Sequence, residues 1–412
     1  MTAQERKYLR ELALRQAEIA ALPVMAERRA LWHDLNDGKT GHPLVVMEFH
    51  GVESDVYPPL ACKTPLARHI EQQLARQIFK YENYRDDRVI PPDFSVHIPN
   101  RFKAFGYTSK ARHVPGMGYM YEHAVHDLEE DFGVFGPSEY AADTGLCGAM
   151  EQKARVEDVV GDILPVRLEF PSPGFCPGNT LVQMMSMETM CMGILDYPEL
   201  FHRIMRRLTD DYLAYLDAME AAGAVAFNND HSYVGQDSFG YTHDLPGAGE
   251  CGGPAKISEV WGYGNSQETV SMSPAMFDEF FFTYIREVAG RFGLFAYGCC
   301  EPVHALWEPC FSRLKTLRKI SVSPWCDEEY MGEALRGTKV VYHRKPFSNF
   351  FSIDPVFDEA AFLRHMEKTV KAARRCPLEI TFRDICSVRG EPWRLTRAVE
   401  LTREAFARWW QG

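Results

Sequence analysis

The chain has 412 residues, 46% of them hydrophobic, and a formal net charge of −12. That is enough apolar content to bury a large core, either as one α/β barrel with insertions or as two domains. The acidic balance argues against nucleic acid or an anionic membrane surface as partner, because both demand a basic face.

The amino terminus lacks an apolar signal core, and no apolar run reaches the roughly 18 residues needed to span a bilayer. A cytoplasmic protein without a membrane partner is expected. Its eleven cysteines are odd in number and irregularly spaced, which suggests reduced thiols rather than a disulfide framework. Residues 3–35 place Leu9, Leu12, Leu14, Ile19, Leu22 and Met25 at loose helical intervals. They predict one or two amphipathic helices in an extension over residues 1–40, forming a lid or base outside the main core. Pro43–Phe49 reads as the first strand, and Pro65–Tyr84 as a helix with Leu66, Ile70, Leu74 and Ile78 on one face. Residues 85–157, rich in Gly, Pro, His and aromatics, read as an insertion after this βα unit, with Phe94–Ile98 as its clearest strand.

From Val166 onward the rhythm is regular. Val166–Phe170, Ala224–Phe227, Glu259–Tyr263, Leu294–Tyr297, Lys319–Val322, Lys339–Tyr342 and Leu378–Phe382 read as short strands, separated mainly by amphipathic helices. Pro198–Ala222 is the clearest of those helices. Nine candidate strands are one more than a closed eight-stranded barrel needs, so one is accessory. The expected fold is α/β, a TIM (β/α)8 barrel over residues 41–412.

The most informative stretch is FGLFAYGCCEPVH, Phe292–His304, where an apolar strand ends in ligand-type residues. In parallel α/β folds chemistry sits at the carboxyl ends of strands. Other strand ends carry Asn229, Asp230 and His231; Gln267 and Glu268; Trp325 and Asp327; His343, Arg344 and Lys345; and Arg383, Asp384 and Cys386. This mixture of sulfur, nitrogen and oxygen suits zinc, which at catalytic sites takes three protein ligands and keeps one position open. The favoured set is Cys299, Cys386 and Glu268, with Glu301 or His304 as substitutes. Glu301, His304 and Asp384 are candidate catalytic groups, and Asn229, Asp230, Tyr297, His343, Arg344 and Lys345 candidate substrate contacts.

Each has a bland reading. Alternation along an extended chain lets only one of Cys299 and Cys300 reach a pocket, and buried cysteines often serve as small hydrophobes. Glu301 and His304 would suit a helix start after Pro302. The basic triplet would suit a solvated tip, and Asn229 and Asp230 would suit loop orientation.

Several segments together resemble the uroporphyrinogen decarboxylase-like superfamily, most clearly from about residue 172 to the end. They are PLVVMEFHG ending at Gly51, PSPGFCPGNTLVQMM at 171–185, EAAGAVAFNND at 220–230 and MSPAMFDEFFFTYIREV at 272–288. The superfamily is a barrel fold that includes zinc-dependent, corrinoid-linked methyltransferases. Met47, Glu48, Phe49, His50 and Gly51 stand where true decarboxylases carry an Arg-rich motif, which counts against porphyrinogen decarboxylation. The methyltransferase branch places His-x-Cys after the sixth strand and Cys after the last. Tyr297-Gly298-Cys299 and Cys386 occupy those places here, so two thiolates carry over and the histidine does not. The resemblance thus implies a zinc methyltransferase acting on a small methylated substrate, with a methyl ether as the leading candidate. Its methyl group would pass to or from a corrinoid on a separate protein, over a mouth with Tyr233, Phe239, Tyr241 and Trp261 as aromatic packing. A homodimer is compatible with the sequence. Two rivals remain, a metal-free decarboxylase or lyase using Asp230 with the basic cluster, and a non-catalytic binding barrel.

Overall fold

Short runs of consecutive apolar residues form strands buried on both faces, and the amphipathic segments between them form helices that cover those faces. The computed structural model describes the chain apart from residues 50–51, 100–101, 115–117, 170–172, 248–252 and 411–412. His50 and Gly51 of the first-strand motif, and Phe170, Pro171 and Ser172, therefore lie outside the described residues. The strands are β1 (Leu44–Met47), β2 (Phe94–His97), β3 (Lys110–Val114), β4 (Gly118–Glu122), β5 (Val166–Glu169), β6 (Gly174–Phe175), β7 (Trp261–Gly264), β8 (Leu294–Tyr297), β9 (Leu317–Val322), β10 (Val341–Arg344) and β11 (Leu378–Phe382).

Seven of them build one sheet in the order β1-β11-β10-β9-β8-β7-β6, parallel throughout. The first long strand pairs with the last, the wrap-around expected of a barrel. Among the described residues the ring is nevertheless not closed by strand pairing, because β2 and β5 form a separate parallel pair. Side chains occupy the break. The carboxylates of Asp87 and Asp86 accept from the N–H groups of Val45 (2.9 Å) and Met47 (3.0 Å), and Arg88 donates to the Met47 carbonyl at 2.7 Å. The edge of β1 thus has its backbone groups satisfied without a neighbouring strand.

Three expectations change. Ala224–Phe227 forms no strand; instead the Asn228 amide donates to the Trp261 carbonyl (3.1 Å) and accepts from its N–H (2.9 Å). The two-residue β6, which is not among the nine candidates, joins the sheet by pairing with β7. β10 begins two residues later than expected, so His343 and Arg344 belong to the strand rather than to the loop beyond it. The insertion contains the hairpin β3–β4 and a helix, Ala142–Val160.

The helices Ala3–Ala20 and Pro23–Asn36 form a base. Trp32 donates to the Asp87 carbonyl at 2.8 Å, and the Asn36 amide to the carbonyls of Phe239 (3.0 Å) and Tyr241 (2.7 Å). Arg318, near the start of β9, donates to the Asn36 carbonyl. The second helix therefore closes the amino-terminal ends of the strands, opposite the end where chemistry is expected. Among the described residues no helix is long and apolar enough to cross a membrane.

Candidate active site at the carboxyl ends of the strands

The turn after β8 depends on Gly298. Its φ is +99°, and a Cβ there would lie 2.9 Å from the Ser321 Cβ, so only glycine fits. The turn is held on two sides. Ser321 Oγ donates to the Cys299 carbonyl at 2.9 Å, and the buried Glu301 carboxylate accepts from the N–H groups of Cys299 (2.7 Å) and Ser266 (3.2 Å). Glu301 thereby ties the loops after β7 and β8 together.

The two thiols consequently lie side by side, Sγ to Sγ 3.5 Å, and both are partly exposed. Only one of the two lines the neighbouring cavity, and it is Cys300 rather than the favoured Cys299; residues 298–301 form bends rather than extended chain, so alternation does not decide which. Their contact pushes the Cys300 thiol below its ordinary pKa and the Cys299 thiol above it. Cys299 Sγ also lies 3.5 Å from Gln236 Oε1. Gln236 and Asn265 donate to the Tyr263 hydroxyl, Asn265 at 2.7 Å, so a polar chain continues behind the thiols.

Cys300 opens onto a cavity of about 320 Å³ lined by Trp325, Lys345, Phe347, Arg383 and Asp384. Lys345 is 3% exposed, and its Nζ has no hydrogen-bond partner among the described residues. Burial pushes this ammonium down to about 8. Arg383 bonds to Gln236 and, at 3.1 Å, to Asp237, which leaves its buried Nε without a partner. Trp325 is 66% exposed and meets Phe347 edge to face at 5.2 Å. Larger clefts of about 710 and 590 Å³ are lined by Thr2, Glu5, Tyr8 and Tyr57, and one of about 540 Å³ by Cys176 and by Asn179, the neighbour of Glu268.

The other candidate residues are dispersed. Cys386 is exposed, its Sγ 3.9 Å from the Asp384 carbonyl. One Glu268 oxygen lies 3.4 Å from the Asn179 amide, while the other is buried without a partner, and burial raises this carboxyl's pKa. His304 lies within a short turn, Val303–Leu306, that replaces the expected helix start, and its Nδ1 accepts from the Asp327 N–H at 3.3 Å. Asp384 is exposed at the cavity rim. Among the described residues no three His, Cys, Asp or Glu side chains are gathered as a metal-holding group. The thiols and carboxylates have the chemistry zinc prefers, but Cys299, Cys386 and Glu268 do not form a ligand set.

Several expected substrate contacts prove structural. Asn229 is spent on loop backbone, bonding to Thr242 and Leu245, and Asp230 pairs with Arg167 at 2.7 Å. Tyr297 is buried against Phe311, ring centroids 4.1 Å apart. His343 contacts Thr381 at 2.9 Å inside the barrel, where burial pushes its pKa well down. Arg344 pairs with Glu328 at 2.9 Å and donates to the Val322 and Ser323 carbonyls. Of the basic triplet only Lys345 faces the cavity, because the strand runs two residues further than its hydropathy suggests. Phe239, Tyr241 and Trp261 are core residues, and Tyr233 bonds to the buried Glu48. Conversely, Gln236 and Asp237 carry no motif and were not foreseeable. Arg383 and Trp325 stood at strand ends, the one signal available for them.

No family model matches the chain, and no curated protein matches it. Among solved structures the chain is similar to a methyltransferase from Methanosarcina mazei. The TM-score is 0.51 at 12% identity, over 92% of this chain and 99% of that one. At that identity the likeness is one of fold.

Proposed function

We propose that this chain is a methyltransferase of the uroporphyrinogen decarboxylase-like superfamily. It would move a methyl group between a small methylated substrate, a methyl ether, and the cobalt of a corrinoid on a separate protein. The supporting observation is the contacting pair of thiols, of which Cys300 lines the cavity, at a strand end of a fold shared with a methyltransferase. The corrinoid supplies the cobalt nucleophile that takes up the methyl group. The chain's own part is to bind the ether and manage the charge released as its C–O bond breaks. Cys300, the thiol that lines the cavity, is the group placed to hand a proton to the departing oxygen, with Cys299 in contact with it and Gln236 behind Cys299. Zinc receives no step here, because the described residues gather no three-donor set.

The test is anaerobic incubation of the full chain with a panel of methyl ethers and free cob(I)alamin, following methylcobalamin by absorbance. Methyl transfer that falls by roughly 10²- to 10⁴-fold in Cys300→Ala, the usual range for a lost acid, supports the proposal. No transfer from any ether sinks it. Zinc content measured beside Cys299→Ala and Cys386→Ala decides the metal: near one ion per chain, lost in both variants, restores the zinc site. The lyase reading keeps one observation in its favour, the unpartnered Lys345, and predicts turnover without corrinoid. Asp230, which it would have used, is committed to Arg167.

A further inference from the structure

We propose that the cavity beyond β9, β10 and β11 binds a planar aromatic carboxylate, its carboxylate drawn inward to Lys345 and Arg383 and its ring held at the rim by Trp325 and Phe347. As a statement of substrate class this rests on the methyltransferase reading; as a statement of binding it does not.

Charge comes first. An isolated ammonium in an apolar wall is strongly penalised, and proteins retain one where a partner or ligand supplies the opposite charge. Lys345 Nζ is buried with no hydrogen-bond partner among the described residues. Arg383 has its Nε buried and, among the described residues, without a partner, while its Nη1 is held by Gln236 and Asp237. Both residues line the cavity, and a lysine beside an arginine is the combination that takes a carboxylate by charge-assisted hydrogen bonds.

Nearby carboxylates do not cancel this. Asp237 is paired with Arg383, Glu301 is spent on the backbone N–H groups of Cys299 and Ser266, and Asp384 is exposed at the rim. None of these carboxylates is hydrogen-bonded to Lys345 Nζ, so this ammonium keeps its donors free for a ligand.

Shape supplies the rest. Pro324, Trp325, Pro346 and Phe347 form apolar walls, and Trp325 stands 66% exposed against the Phe347 edge, offering a face on which a flat ring can stack. Because Lys345 is buried and Trp325 is at the surface, the ligand's charged end points inward. A volume of about 320 Å³ lies at the low end of small-molecule sites, enough for one ring with substituents.

The experiment is calorimetric titration of the full chain with benzoate, its neutral isostere benzamide, and acetate. Benzoate should bind at least about tenfold more tightly than either of the others. Lys345→Met should erase the preference over benzamide while melting no lower than the parent, so a folding defect is not mistaken for the effect. Trp325→Ala, a change at a mostly solvated side chain, should weaken benzoate more than acetate. Equal binding of benzoate and benzamide, no benzoate binding at millimolar concentration, or a preference that survives Lys345→Met would overturn the proposal. Benzoate binding without methyl transfer from any ether would keep this site and remove the methyltransferase reading. Methyl transfer with no preference for anionic ligands would do the reverse.

Discussion

Lys345 shows how one residue can tie stability to function. Its ammonium is buried, and burial pushes its pKa to about 8 from 10.5. Below pH 8 the lysine is charged in both folded and unfolded chains, and the folded state bears the whole penalty, roughly 3 kcal/mol at about 1.4 per unit. Between pH 8 and 10.5 the unfolded chain binds more protons, so native stability from this group rises with pH and the penalty fades. Lys345→Met should therefore melt higher than the parent at pH 7, with the gap closing towards pH 10.5; thermal unfolding across that range checks it. An equal or lower melting temperature at pH 7 would mean that the ammonium has a partner. The sequence put Lys345 in a basic triplet, yet could not tell it from His343 and Arg344. Those two are neighbours in sequence and differ only in having Thr381 and Glu328 within reach.

Elements were legible where local periodicity decides them. The helices Pro65–Tyr84 and Pro198–Ala221 appear with the boundaries their apolar spacing and leading prolines predict, within a residue. Strands were legible as apolar runs, but their ends were not, because a strand continues past its hydropathy wherever a neighbour offers a partner. The edge of β1 is the sharpest case. Asp86 and Asp87 replace a strand with two carboxylates, and Asp86 also holds the buried Arg88 at 2.6 Å. Asp86→Ala would orphan the Met47 N–H and leave the buried Arg88 with Glu48 at 3.1 Å as its remaining carboxylate, and removing one partner of a buried pair costs about 3–5 kcal/mol. A fall of that size in denaturant unfolding is expected, with the slope unchanged; a loss under about 1 kcal/mol would show that the edge is supported by other means.

At the scale of the whole molecule, the two amino-terminal helices are part of the barrel rather than an appendage. Leu9 and Ala13 join the main core, and Trp32 and Leu35 pack with Leu44, Val46 and Val341 of β1 and β10. Deleting residues 1–38 should expose these strand residues and leave Arg318 without the Asn36 carbonyl. Circular dichroism should then show loss of cooperative thermal unfolding; a sharp transition near the parent's would make the helices dispensable.

By itself the sequence determined the class of fold, the alternation of strand and helix, and the Cys299–Cys300 turn at a strand's carboxyl end, because hydropathy, period and glycine placement are local properties of a chain. It did not determine that the thiols would lie side by side, that Cys386 would stay at the surface, or that Lys345 and Arg383 would line one cavity with the lysine left without a hydrogen-bond partner among the described residues. Those outcomes depend on which groups distant in sequence arrive within a few ångströms of one another. Whether a buried charge is satisfied or waiting for a ligand is decided only there.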